Sequence, residues 1–227
     1  MTDLNLYNLL EPISTSDWSY IKPIVARVCG GGNEQYEIMY DIARYGDGDE
    51  HCMEIGSFYG AGVSAMAIGA KLSDKNKCIS LDFKHQDWTK DHGFFKTQHL
   101  IEHGPGEMFQ YWYNLTLMDV HDWIILITED SMIAHKWLDI PLRLLHVDAN
   151  HDLIHVLNDI KHYGKMLVSG GIICFQNGRE HSEWDAIEEM IINSGDYTNY
   201  DFCHNYKCLG EDGKTISASN MFMAHKK

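Results

Sequence analysis

The chain has 227 residues, 44% of them hydrophobic and 11% aromatic, which is the composition of a globular protein and enough chain for one α/β domain with a sizeable core. Its formal net charge of −15 creates a field that repels phosphate backbones and anionic lipids, so we expect neither nucleic acid nor a membrane as a partner. No apolar run reaches the length of a membrane span, and residues 1–11 lack the basic and apolar parts of a secretory leader.

Helical and strand patterns alternate along the chain. This alternation predicts an α/β fold with a Rossmann-like, doubly wound sheet of seven mostly parallel strands, an antiparallel C-terminal strand and helices on both faces. Residues 1–50 are predicted to form an N-terminal helical cap with helices over Asp17–Val28 and Glu34–Tyr45, and residues 51–227 the remainder of a single domain. The predicted strands are His51–Ile55, Cys78–Leu81, Trp123–Ile127, Leu142–Val147, Ile172–Phe175, Tyr197–Cys203 and Ser217–Ala224.

Helices are predicted between these strands, at Ala61–Leu72, Glu107–Met118, Met132–Leu138 and Ser182–Asn193. A further helix follows the fourth strand, and its apolar face is expected to consist of Leu153, Ile154, Val156, Leu157 and Ile160. Phe94–His103 is a candidate helix, Val168–Gly171 a predicted turn into the fifth strand, and Gly210–Gly213 a predicted hairpin loop.

The first strand runs into a glycine turn with the pattern Glu54-x-Gly56-x-x-x-Gly60. Glycines permit a positive φ and a close approach of ligand to backbone, and the helix that follows offers free N–H groups at its N-terminus. The spacing differs from the G-x-G-x-x-G fingerprint of dinucleotide-binding proteins. Other strands end at or just before Asp82, Asp130, Asp148 and Gln176-Asn177. Ligands bind at the carboxyl ends of the strands in an open α/β sheet, so we predict the site there.

Four motifs in this order resemble those of class I S-adenosylmethionine (SAM) methyltransferases. The similarity is to the small-molecule O-methyltransferase branch that includes macrolide-sugar O-methyltransferases and cephalosporin-hydroxylase-like proteins. Besides the glycine turn, Ile127–Ser131 resembles a G-D-S turn with Glu129 for glycine, His146–His151 resembles I-D-G-x-H with Ala149 for glycine, and Gly170–Asn177 resembles G-G-x-x-x-x-D-[DN]. The resemblance covers about residues 34–224. It implies that residues 51–227 bind SAM and methylate a hydroxyl on a small molecule or sugar.

The resemblance also assigns SAM-binding roles. They fall on Glu54, Gly56, Ser57, Phe58 and Gly60 at the methionine end, Asp82 at the ribose, Asp130 and Ser131 at the adenine, and Asp148 beside the amino group. A carboxylate such as Asp82 can accept hydrogen bonds from both ribose hydroxyls. Asp130 and Ser131 are also preferred N-cap residues, and the capping and binding roles are compatible.

Two routes for removing the acceptor proton stay open. His151 matches the histidine of the fourth-strand motif and is a candidate general base, with Asp148 as the second catalytic candidate. Alternatively, Asp148, Asn177 and Gln176 hold Mg²⁺. Gln176 stands where metal-dependent relatives have a carboxylate, and its neutral amide weakens such a site.

Several histidines and loop residues have less specific patterns. His151 and His155, like His99 and His103, lie four apart without the glutamate of H-E-x-x-H. We interpret these pairs as structural or surface histidines and expect His155 to turn away from the site. Contacts to the acceptor are expected from loop residues beside the site, namely His85, Trp88, Arg179, Glu180 and His181.

Cys52, Cys78 and Cys174 fall inside predicted strands, which indicates buried free thiols in a reducing compartment, and we expect the cytoplasm. Two other functions stay open: a nicotinamide-dependent oxidoreductase, and a non-catalytic binding protein with a SAM-type fold, to which the Gln176 substitution points. The identity of the acceptor and the formation of a homo-oligomer are also open.

Overall fold

The computed structural model describes residues 34–83, 107–176, 181–209 and 215–227, together with Ser19, Ile21 and Val25, which are helical. Most of the predicted helix Asp17–Val28, the candidate helix Phe94–His103 and the loop Gly210–Gly213 therefore lie outside the described residues. In the described part of the chain, none of the helices combines the length and the apolar character needed to cross a bilayer.

In these residues, seven strands form one sheet in the order β3-β2-β1-β4-β5-β7-β6. The strands are β1 His51–Ile55, β2 Cys78–Leu81, β3 Ile124–Ile127, β4 Leu142–Val147, β5 Leu167–Phe175, β6 Tyr197–Leu209 and β7 Thr215–Lys226. Strands β1 to β5 pair in parallel, β7 runs antiparallel to β5, and β6 runs antiparallel to β7. The predicted fold is confirmed, and the strand order reverses between β1 and β4, where ligands bind in open α/β sheets.

Helices cover both faces of the sheet. They are α1 Glu34–Tyr45, α2 Ala61–Leu72, α3 Glu107–Leu117, α4 Ser131–Ala134, α5 Leu153–Tyr163 and α6 His181–Ile187. Successive strand residues point to opposite faces, so Cys52 packs with α1, α2 and α3 while Met53 packs with α5 and α6. Cys52, Cys78 and Cys174 are buried, as predicted, and they form no disulfide with one another.

The structure corrects one predicted turn and one predicted helix end. The predicted turn Val168–Gly171 lies inside β5, because the pairing with β4 shifts between Leu142 and Leu144 and the extra residues form a bulge with Gly170 at φ 82°. The helix α4 ends at Ala134 rather than at Leu138. Local apolar spacing could not reveal either feature, since both depend on the neighbouring strand or turn.

The apolar face predicted for α5 is partly wrong. Leu153 and Ile154 are 39% and 65% exposed, because they form the first turn of the helix. The buried face instead runs from Val156 through Asp159 and Ile160 to Tyr163. A carboxyl side chain therefore lies within the buried stripe of this helix.

Candidate functional site

A cavity of about 390 Å³ opens at the carboxyl ends of β1 to β4. Its described lining residues are Ile55, Gly56, Phe58, Leu81, Asp82, Phe83, Glu129, Asp130, Ser131, Asp148, Ala149, Asn150, His155 and Asp159. Backbone hydrogen bonds hold these strand ends together: Gly56 N–H donates to Leu81 O at 2.9 Å, and Asp148 N–H donates to Ile55 O at 2.9 Å. The volume lies within the range of about 300–1,000 Å³ that is usual for small-molecule sites.

Asp82, the residue after β2, holds the glycine turn through two hydrogen bonds. The backbone N–H groups of Ser57 and Phe58 both donate to Asp82 Oδ2, each at 2.7 Å. Gly56 has φ 86°, and a Cβ at this position would overlap the backbone oxygen of Asp148 and lie 2.6 Å from Ala149 Cα. Glycine is therefore required here, because β1 and β4 approach each other too closely for a side chain.

Glu54 lies behind the turn and is 2% exposed. Its Oε2 accepts the N–H of Val63 in the first turn of α2 at 2.7 Å, and its Oε1 lies 2.9 Å from Nδ1 of the buried His146. Glu54, His146 and Asp148 also form a group whose potential ligand atoms lie within 4.8 Å of one another. Both carboxylate oxygens of Glu54 thus have partners within the protein, and the residue supports the turn rather than lining the cavity.

Ser57 and Gly60 are likewise absent from the cavity lining. The Ser80 hydroxyl donates to Ser57 Oγ at 2.7 Å in the buried space below the turn. Gly60, at φ 91°, is the N-cap residue of α2, and Asn114 fixes the turn by donating to Tyr59 O at 3.0 Å. Six of the nine predicted SAM-binding residues line the cavity, while Glu54, Ser57 and Gly60 lie behind it. The six are Gly56, Phe58, Asp82, Asp130, Ser131 and Asp148.

The turn after β3 forms the far end of the cavity. Asp130 is the N-cap of α4, and its Oδ1 accepts the N–H of Met132 at 2.8 Å. Tyr163 of α5 donates its hydroxyl to Ser131 O at 2.8 Å. The predicted capping role of Asp130 is present, and the same residue lines the cavity.

The cavity is also lined by two residues of α5 that the sequence analysis did not identify as site residues. His155 lines the cavity, so the expectation that it turns away is wrong, because the first turns of α5 pass the mouth rather than leaving it. Asp159 lies one turn further along and is 0% exposed. Burial raises the pKa of Asp159 to about 6, although side-chain hydrogen bonds with Ser131 and Asn158 lower it in part.

His151 is not among the described residues that line the cavity, although its neighbour Asn150 is. Its Nδ1 lies 2.8 Å from Oε1 of Glu183 on α6, and the two side chains are 34% and 1% exposed. A buried carboxylate that holds one ring nitrogen orients the imidazole, as in many acid–base pairs. The sequence did not identify Glu183, which is 32 residues away from His151.

The predicted metal ligands are only partly described. Asp148 lines the cavity, and Asn177 lies outside the described residues. Gln176 Oε1 is buried and has no hydrogen-bond partner among the described residues. One anionic oxygen and one buried amide carbonyl are ligands of the kind that a hard cation takes. His85, Trp88, Arg179 and Glu180 lie outside the described residues, as does the side chain of His181.

A family model described as a methyltransferase domain matches residues 53–177, which is more than half of the chain and extends from within β1 to just beyond β5. The chain belongs to this methyltransferase family. The resemblance predicted from the four motifs is therefore confirmed, and with it SAM as the cofactor of this methyltransferase. A search of curated protein sequences gives no match.

Solved structures share the fold of this methyltransferase. The O-methyltransferase NovP superposes with a TM-score of 0.62 at 10% identity, covering 92% of this chain and 99% of its own. A SAM-dependent O-methyltransferase from Thermotoga maritima gives 0.57 at 11% identity, covering 89% and 71%. The TDP-rhamnose 3'-O-methyltransferase CalS11 gives 0.56 at 10% identity, covering 97% and 90%. Identities this low show a common fold and leave the acceptor to be argued from the site.

Proposed function

We propose that this methyltransferase transfers the methyl group of SAM to a hydroxyl group on a small molecule or a sugar. The observation that carries the proposal is the tie between the glycine turn and Asp82, because it holds a carboxylate and a backbone cradle together at the wall of one cavity. NovP and CalS11, which share the fold, are O-methyltransferases, and CalS11 acts on a TDP-linked sugar.

The residues present fit SAM. A carboxylate offers about four acceptor positions, so Asp82 can bind ribose hydroxyls while it holds the two turn amides. Asp148 supplies negative charge for the α-ammonium group, and the buried Glu54–His146 pair lies beside it. Asp130 and Ser131 form the far end of the cavity, where the base binds.

The sulfonium of bound SAM supplies a methyl group that is already activated, so the chain has to align the acceptor and remove its proton. When bound, SAM would donate its methyl group to the acceptor oxygen and leave as S-adenosylhomocysteine (SAH). We propose that His151 is the general base that removes the proton from the acceptor hydroxyl, and that Glu183 is the positioning residue that orients its imidazole.

A metal-assisted route is the alternative. Asp148, Gln176 and Asn177 are the residues that would hold a divalent cation, which would lower the pKa of the acceptor hydroxyl. Only one of these three ligands is anionic, so the set suits Mg²⁺ less well than two carboxylates would. Gln176 Oε1 has no hydrogen-bond partner among the residues that the structure describes, and this is the structural feature that supports the metal-assisted route.

Calorimetry with SAM, SAH and NAD tests the cofactor, and we expect binding of the first two only. Methyl transfer to a panel of sugars and phenols, measured by mass spectrometry with Mg²⁺ or with EDTA, tests the reaction. If His151→Gln loses turnover and EDTA leaves the wild-type activity unchanged, the metal-free route is supported. If EDTA abolishes the wild-type activity and Mg²⁺ restores it, the metal-assisted route is supported. Tight SAM binding without turnover of any acceptor would indicate a binding protein instead.

A further inference from the structure

Two cysteine side chains lie side by side at the amino ends of β1 and β2, at the opposite end of these strands from the cavity. The two strands pair in parallel, with Met53 of β1 beside Ile79 of β2. Cys52 and Cys78 come one residue earlier on each strand and therefore face each other. Both are 0% exposed in the core between the sheet and the helices α1 and α2. A side-chain hydrogen bond joins the two thiols, and the methyl-transfer site uses neither of them.

A buried arginine lies next to this pair. Between His51 and Cys52 the pairing of β1 with β4 skips Arg143, which is therefore the extra residue of a bulge. Arg143 is 3% exposed, and its guanidinium donates to three main-chain oxygens, two of them in the last turns of α1. Its hydrogen-bond partners in the described part of the chain include no carboxylate. A buried cation of this kind favours a negative charge on an adjacent group, and the adjacent group is a thiol.

The two thiols differ in acidity. Burial by itself raises the pKa of Cys52, but the hydrogen bond from Cys78 and the charges of Arg143 and Lys75 outweigh burial and lower this pKa below its ordinary value. The hydrogen bond with Cys52 and burial raise the pKa of Cys78. Cys52 is therefore the sulfur that carries negative charge, and Cys78 is its hydrogen-bond donor. The thiolate is the nucleophilic form of cysteine.

The spacing of the strands suits a disulfide between the two residues. Neighbouring strands lie about 4.8 Å apart, and a disulfide joins Cα atoms that are about 4.4–6.8 Å apart. Cys52 and Cys78 already lie on one face of the sheet with their thiols in contact, so the bond requires no change of strand register. In a reducing compartment, disulfides of this kind are transient and respond to oxidants.

We propose that Cys52 and Cys78 are a site of reversible oxidation, at which a hydroperoxide such as hydrogen peroxide forms an intramolecular disulfide. The Cys52 thiolate attacks one peroxide oxygen, the O–O bond breaks, and the leaving hydroxide takes up a proton from solvent, which gives water and a sulfenic acid on Cys52. The Cys78 sulfur then attacks the Cys52 sulfur, the S–O bond breaks, and the hydroxide leaves as water with the Cys78 proton. Two electrons pass from the thiols to the peroxide, and a dithiol reductant returns them.

Peptide mapping of the peroxide-treated full chain tests the proposal. The reduced protein is treated with hydrogen peroxide, its remaining thiols are alkylated, and its peptides are identified by mass spectrometry. We expect a linked pair of peptides that contain Cys52 and Cys78 and that separate again after treatment with dithiothreitol. Because both thiols are buried, the linkage should form more slowly than the oxidation of an exposed thiol, at a rate set by local opening.

Two serine variants test which sulfur reacts first. In Cys78→Ser the hydroxyl can still donate to Cys52, but no second thiol can displace the sulfenic acid, so dimedone should label Cys52. In Cys52→Ser, dimedone should label Cys78 at least about tenfold less, because the pKa of this thiol is raised. Cys174, a buried thiol on β5, gives the matched control, and Cys174→Ser should keep the full yield of the linked peptides.

The proposal is wrong if the linked peptides are absent from peroxide-treated wild type that keeps its circular dichroism spectrum. It is equally wrong if dimedone labels Cys78 in one variant as strongly as Cys52 in the other, because the thiolate would then not be held on Cys52. The measurement uses neither cofactor nor acceptor, so its result is independent of the proposed function.

Discussion

Asp159 should make the stability of this protein depend on pH in a way that one substitution removes. Its ordinary pKa is 3.8, and burial raises it to about 6 in the folded protein. The folded state therefore binds the proton more tightly than the unfolded state. The stabilisation is fully present below about pH 4 and is lost as the pH rises through about 6.

The shift of about two pKa units corresponds to about 3 kcal/mol, and about 2 kcal/mol of this falls between about pH 4.5 and about pH 7.5. Asp159→Asn carries no titrating group, so its free energy of unfolding lacks this loss. We expect the difference between variant and wild type to change by about 2 kcal/mol in favour of the variant over that pH interval.

Urea unfolding of both proteins at several pH values measures this difference and cancels the titration of all other groups. Asp152→Asn, the same substitution at an exposed carboxyl of the same helix, is the control. A difference for Asp159→Asn that stays constant within about 0.5 kcal/mol would refute the argument that burial perturbs this carboxyl.

Three further outcomes are expected. Gly56→Ala should unfold the protein or abolish SAM binding, since the new Cβ overlaps the backbone at the end of the neighbouring strand. Gly170→Ala is the control: its φ is similar but the space around it is open, so the free energy of unfolding from thermal melts should fall by only about 1–2 kcal/mol. Asp82→Ala should weaken SAM binding about tenfold or more by calorimetry, because it removes the charged acceptor of two turn amides. Glu183→Gln should lower kcat with little change in KM, and a KM effect alone would contradict an orienting role for the carboxylate that contacts His151.

Much of the sheet and of the cavity wall could be predicted from local sequence. The strand β1 and the helix α1 have the predicted bounds, because each is a short apolar pattern bounded by polar or glycine residues. Asp82 and Asp148 follow apolar strands directly, and the carboxyl ends of parallel strands meet at one edge. Their assembly at one cavity therefore follows from the order of elements alone.

Other parts of the site depend on contacts between segments that are distant in the chain. Glu54 meets His146 because β1 pairs with β4 in one register, and the two residues are 92 positions apart. His151 meets Glu183 only after α5 and α6 pack together. Neither partner has a local pattern that distinguishes it from other charged residues.

Patterns within a few residues were enough to predict the class of fold, the glycine turn and the carboxylates at the strand ends. The tertiary structure alone decided which face of α5 is buried, and so placed Asp159 and His155 in the cavity. The rotation of a helix about its axis is set by everything packed against it, and the apolar spacing of Leu153 and Ile154 pointed to a different face.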